Sequence, residues 1–122
     1  EIACETDFVA RTPEFLEFTK NIAMHIAASK PLAVDRTGIS QELIDKELAI
    51  YKAQMKEQGK PDQIIEKIAQ GKIEKYYQEV CLLEQNYVKD MDKTVKDVLN
   101  ATIAKLGENI VIRRFVRFEL GG

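Results

Sequence analysis

The sequence predicts an α+β fold: a small antiparallel β-sheet packed with helices, which include an antiparallel helical hairpin. Three observations carry this. Apolar runs of strand character lie at both ends, at 1–5 and 110–120. Between them, apolar residues recur at steps of three and four, the period of helices with one buried face. Gly59-Lys60-Pro61 joins two of these stretches by a turn so tight that its helices must lie antiparallel. The 122 residues read as one domain, 1–122, with the hairpin at about 40–85.

Each element has a local cause. Residues 1–5 read as the end of a strand that begins without Met, so the chain is expected to be a piece of a longer protein. Thr12-Pro13 opens the first long helix: the threonine hydroxyl accepts from an orphan amide, and proline at the first helical position loses no bond. Glu14 and Glu17 suit the positive end of the helix dipole. Phe15, Phe18, Ile22 and Ile26 share one face, and Lys30-Pro31 stops the helix. Residues 31–39 connect to a helix capped by Ser40, with a stripe of Ile44, Leu48, Tyr51 and Met55. The next helix carries Ile65, Ala69, Ile73, Tyr76, Val80 and Leu83. Gly71 within it is a soft point, costing up to about 1 kcal/mol in propensity.

Residues 86–91 read as a loop and Asp92 as the cap of a fourth helix. Val95, Leu99 and Leu106 point inward on it, and Gly107 lies just past its end. The last strand, 110–120, sets Ile110, Ile112, Val116, Phe118 and Leu120 against Val111, Arg113, Phe115, Arg117 and Glu119, with Arg114 interrupting the apolar face. Two strands alone are marginal, so a preceding strand or a second copy of the chain is expected to complete the sheet.

Composition narrows the function. With 45% hydrophobic and 31% charged residues and a net charge of −2, the chain lacks the basic excess of a binder working through phosphate electrostatics. It shows no bilayer-length apolar stretch and no signal-like start. Cys4 and Cys81 fit neither a disulfide framework nor a zinc spacing and read as buried free thiols. His25, the sole histidine, has no second ligand near it and lies at the edge of an apolar stripe. No phosphate loop, paired-carboxylate spacing or nucleophile turn occurs, so nothing supports an enzyme.

Two surfaces remain as candidates. Asp7-Phe8 places an aromatic behind a carboxylate at a strand-to-helix turn: either a wedge for a partner, or a capping Asp with a Phe packed under the first helix. Arg113, Phe115 and Arg117 on one strand face could stack a base, the basis of an alternative RNA-binding reading that spans 113–118 to Phe118. Glu119 on the same face and the negative net charge weigh against it.

Several blocks, in order, resemble the elongation factor Ts family: Cys4-Glu5-Thr6-Asp7-Phe8-Val9-Ala10, Ile22-Ala23-Met24-His25-Ile26-Ala27-Ala28, Gly59-Lys60-Pro61, Glu66-Lys67-Ile68 with Gly71-Lys72, Leu82-Leu83-Glu84-Gln85 with Val88-Lys89-Asp90, and Gly107-Glu108-Asn109-Ile110 with Arg113-Arg114-Phe115. The resemblance covers essentially the whole chain, ending at Phe118-Glu119-Leu120-Gly121 like short-form members. The matching blocks are expected to lack the family's N-terminal helical domain, Asn86-Tyr87 replaces a more usual Pro-Phe, and Val116 stands where some short forms carry a subunit-linking cysteine. The resemblance implies a guanine-nucleotide exchange factor for elongation factor Tu in translation elongation, doing no bond chemistry and needing no cofactor or metal. It implies that Thr6, Asp7, Phe8 and Val9 contact the GTPase in the segment that displaces magnesium, and that Leu106 and Gly107 approach its nucleotide domain. It further implies a homodimer without a covalent link, no direct nucleic-acid or membrane partner, and a bacterial cytoplasm or an organelle of bacterial descent. An interaction module without exchange activity is the remaining alternative.

Overall fold

Two short strands from opposite ends of the sequence pair and close the body. In the computed structural model, which describes residues 1–121, β1 (Ile2–Cys4) runs antiparallel to β4 (Ile110–Ile112), with Ile2 opposite Ile112 and Cys4 opposite Ile110. A single helical turn, α1 (Asp7–Ala10), follows β1. Then come α2 (Pro13–Ser29), α3 (Gln41–Glu57), α4 (Asp62–Val80) and α5 (Val95–Leu106). The α+β class and the helical hairpin stand as expected.

The caps that the sequence suggests on α2 and α3 are made. Thr12 Oγ1 accepts from Phe15 N at 3.2 Å, and Ser40 Oγ accepts from Leu43 N at 3.1 Å. Phe15, Phe18, Ile22 and Ile26 of α2 are buried against Val95 and Leu99 of α5 and against Ile110 and Ile112 of β4. Three expectations about strands and caps need correction, besides Leu83, which the sequence sets on the α4 stripe but which lies past the end of α4 in the turn Leu82–Glu84. Residues 86–91 are not a loop: β2 (Asn86–Tyr87) and β3 (Asp90–Thr94) form a second antiparallel pair. Its strands are polar and largely exposed, with only Tyr87 buried, so they leave no apolar alternation to read. The cap of α5 is Thr94, not Asp92. Thr94 Oγ1 accepts from Asp97 N, and Asp97 Oδ2 accepts from Thr94 N, a reciprocal box whose bonds hold the Asp97 carboxyl below its ordinary range.

The third correction is to the last strand, which ends at Ile112 rather than running to 120. Beyond it Arg113 N donates to Glu1 O at 2.9 Å and Glu1 N donates to Arg114 O at 2.7 Å, and residues 115–120 have no ladder partner among the described residues. They turn away over α2 instead. Arg113 and Arg114 pair with Glu1 at 3.6 and 2.9 Å, and half-buried Phe115 packs on the body core. Arg117 pairs with Glu119, which also meets Lys30 at 3.1 Å.

The hairpin carries its own small core. Met55, Ile65 and Ala69 are buried together beside Leu48, Tyr51 and Ile68. Lys52 pairs with Glu66, and Lys72 lies over the Tyr51 ring, so positions rise on α4 as they fall on α3, as antiparallel helices require. Its base is pinned by a short parallel bridge: Leu32 N donates to Val80 O, Leu82 N to Ala33 O, and Leu83 N to Val34 O. Gly38 lies so near this bridge that a Cβ there would meet Ala33 Cβ at 2.8 Å. Arg36 then clamps both sides, forking onto Glu74 of α4 and onto Glu84 while lying 4.4 Å from the centre of the Tyr77 ring. The Arg36 guanidinium holds the Glu74 carboxyl below its ordinary range.

His25 sits in the interior, not at the edge of the stripe. It is fully buried, its Nδ1 accepts from Val88 N at 3.2 Å, and its Nε2 lies 2.9 Å from Gln85 Oε1. A backbone N–H only donates, so Nε2 carries the proton and donates to Gln85. The Gln85 amide nitrogen in turn donates to Glu79 O and Ser29 O. One buried pair thus satisfies the ends of α2 and α4 and the turn between β2 and β3.

Two outcomes are expected from this packing. His25→Leu strands Gln85 Oε1 and Val88 N–H, and should lower unfolding free energy in urea by about 1–3 kcal/mol per orphaned group. The second outcome is alkaline. Burial raises the Cys81 thiol from 9.0 to about 11 and raises the phenols of Tyr51, Tyr76 and Tyr87 above 10.0. These groups hold their protons longer when folded, so their contribution is complete below the ordinary thiol value and is lost as pH rises past it. Urea titrations between pH 7.5 and 11 should show stability falling above pH 9.0, with a shallower fall in Cys81→Ala.

Candidate functional site

The β1–β4 register continues past the strands and places Thr6 opposite Glu108. Half-buried Glu108 uses both carboxylate oxygens there. Oε1 accepts from Glu5 N at 3.1 Å and from Thr6 N at 3.0 Å, and Oε2 accepts from the Thr6 hydroxyl at 2.6 Å. The same hydroxyl oxygen accepts from Val9 N at 3.3 Å, capping α1. Thr12 closes the other end, its hydroxyl donating to Val9 O at 2.7 Å. A single turn this short cannot hold itself together, so these brackets define it.

The four residues of the turn divide sharply. Val9 is buried in the body core. Thr6 is consumed as the cap, which frees Asp7 from that duty and leaves it exposed. Phe8 is 87% exposed on a backbone fixed at both ends. Its exposure removes the reading in which it packs under the first helix. Leu106 is half-buried against the same core as Val9, and Gly107 ends α5 at φ 73°, a left-handed turn that glycine enters freely. That turn delivers Glu108 to Thr6. The structure therefore brings 6–9 and 106–107 to the same end of the body, although they lie about as far apart in sequence as the chain allows.

The turn presents an exposed aromatic and an exposed carboxylate side by side. Among the described residues no group of His, Cys, Asp and Glu is placed to hold a metal. Cys4 is half-buried rather than buried, and its thiol donates to Thr6 O at 3.2 Å. His25 is committed to Gln85 and Val88. The face of Arg113, Phe115 and Arg117 does not form as a strand surface, since its arginines meet Glu1 and Glu119 and its Phe packs inward. No helix among the described residues is long and apolar enough to cross a membrane. Glu108 was visible in sequence only as part of a motif. Its role needed the register, for which the sole signal was its place directly after a helix-ending glycine.

Residues 16–122 match the family model described as Elongation factor TS. The chain is 55% identical over 121 residues to "Elongation factor Ts" of Oleidesulfovibrio alaskensis, covering 99% of this chain and 61% of that protein. It is 58% identical to "Elongation factor Ts" of a Thermoanaerobacter species and 56% identical to that of Geobacter sulfurreducens, covering 99% of this chain each time and 59% and 56% of those proteins. It thus spans somewhat under two thirds of the length of these curated relatives. With the family model matched over all but the first fifteen residues, and relatives more than half identical along nearly its whole length, the chain belongs to the elongation factor Ts family.

Proposed function

We propose that this chain is a guanine-nucleotide exchange factor for elongation factor Tu, acting in translation elongation and promoting GDP release by displacing the GTPase's magnesium ion. The single observation that carries the reading is Phe8, a large aromatic held 87% exposed on a turn fixed at both ends. Fully burying such a side chain is worth about 1.5–3 kcal/mol. In a free chain that gain is unrealised, and a partner cleft supplies it.

The mechanism follows from how a GTPase holds its nucleotide. Magnesium bridges the phosphates and neutralises their charge, so moving its ligands loosens the nucleotide. Asp7 and Phe8 enter between elements of the GTPase domain, with Thr6 and Val9 flanking them, while Leu106 and Gly107 approach the nucleotide side. Linkage requires that GDP and the factor weaken each other by the same factor. The factor makes and breaks no bonds. It stabilises the nucleotide-free state, and GTP then resolves the complex. The setting is the cytoplasm of a bacterium or an organelle of bacterial descent.

A homodimer is part of the same reading. Residues 115–120 have no ladder partner among the described residues, and Phe118 is 91% exposed beside exposed Val116 and Leu120. An unpaired apolar edge favours pairing with a second copy.

Two measurements test this. Release of fluorescent GDP from elongation factor Tu should be fast with the chain, and Phe8→Ala should slow it by about tenfold or more, the loss of most of one buried aromatic. The fold should be intact, because Phe8 faces water. Unchanged release in Phe8→Ala would remove the wedge from the mechanism. Sedimentation should show a dimer for the chain and a monomer for Phe118→Glu, and a monomeric wild type would end the dimer reading.

A further inference from the structure

We infer that Glu108 is a positioning residue for exchange: it fixes the turn that presents Phe8 without serving as the wedge itself. This rests on the exchange reading and extends it to a residue outside the contact segment. The argument is geometric. The Thr6 hydroxyl proton is committed to Glu108 Oε2 at 2.6 Å, which turns the oxygen's lone pairs toward Val9 N at 3.3 Å. The other carboxylate oxygen takes both amides that lead into the turn, Glu5 N and Thr6 N. Glu108 therefore sets the rotor that caps α1 and the direction from which the chain enters it.

A four-residue turn supplies little stability of its own, because the first helical turn orders several dihedrals for one bond. Its order comes from outside: Val9 in the core, Thr12 behind, and Glu108 in front. Without Glu108 the front bracket is lost while Val9 still anchors the back. Phe8 then samples many directions, and docking must select one of them. The conservative change is informative. Glutamine keeps one acceptor oxygen for the two amides, but its NH2 cannot accept the Thr6 hydroxyl proton.

The test compares the full chain with E108A, E108Q, F8A and the F8A/E108A pair, each first confirmed folded by urea titration. GDP release from elongation factor Tu is followed at several factor concentrations. We expect E108A to lower kcat/KM for release about tenfold and E108Q to recover part of that loss. In the F8A background E108A should add almost nothing, because a bracket for an absent wedge has nothing to position. In the free chain, amide exchange at Glu5 and Thr6 should quicken in E108A while α5 and the hairpin keep their protection. Wild-type release in E108A, unaltered exchange at those amides, or losses in E108A and F8A that multiply would each overturn the positioning role and leave the exchange reading standing. A wild-type chain that does not accelerate release overturns the exchange reading, and this one with it. If E108A does not fold, E108Q carries the same cycle, with a smaller loss that F8A must still mask.

Discussion

The antiparallel pairing of β1 with β4 is the constraint on which the body depends, because it decides which distant residues face each other. Only three residues of each strand take part, yet the register they set reaches past both ends. In one direction it brings Glu108 to Thr6, and in the other it brings Arg113 and Arg114 to Glu1. The contact between Glu5 and Glu108 closes a span of 103 residues. Loop-closure cost grows slowly, by about 0.6 kcal/mol for each doubling of length, so so long a closure is tolerable when buried side chains reward it. Ile110 and Ile112 supply that reward against α2. A slip of one residue would turn both isoleucines to solvent, which is why so short a pairing holds one register.

The rest of the fold isolates this body from the hairpin. Met55, Ile65 and Ala69 form a cluster of their own, and backbone bonds tie the base of the hairpin to the body. That junction is polar and directional: the bridge between 32–34 and 80–83, the two-sided Arg36 clamp, and the buried His25–Gln85 pair. Apolar packing alone would let the hairpin roll about its base. Hydrogen bonds with fixed donors and acceptors give it one orientation, and the buried members make any other arrangement expensive. The exposed Arg36 contacts add direction more than stability, since solvent screens them.

Much of this was legible in the residues. Thr12-Pro13, Ser40 and Gly59-Lys60-Pro61 are local signals, and the caps and turn form where they stand, because capping chemistry acts within a few residues. The apolar stripes of α2 to α5 were equally plain. What failed was of another kind. The strand expected to Leu120 alternates correctly but needs a partner, and alternation says nothing about whether one exists. The β2–β3 pair is built from polar residues whose only apolar commitment is Tyr87, so no pattern marked it. Asp92 is an acceptable cap by residue type, but the cap is Thr94. Only the reciprocal bond from Asp97, three residues after Thr94, separates them. At the site, Asp7-Phe8 stood out as odd in sequence, but whether Phe8 pointed in or out was undecidable until the turn's orientation was fixed by Val9 and Glu108.

That orientation carries a cost argument. Burying Phe8 in a partner offers about 1.5–3 kcal/mol, whereas ordering one residue of flexible backbone takes about 1–2 kcal/mol. A floppy segment of four residues would therefore consume more than its aromatic could return on docking. Bracketing the turn with Glu108, Thr12 and Val9 moves that ordering into the folding of the free chain. Folding can absorb it, because α2, α5 and the sheet already bury a large common core. On the proposed exchange reading, Phe8 would meet its partner with its backbone settled, leaving nearly all of the apolar gain to deform what it enters. On that reading, the part of the chain that is most exposed is thus ordered before docking and not during it.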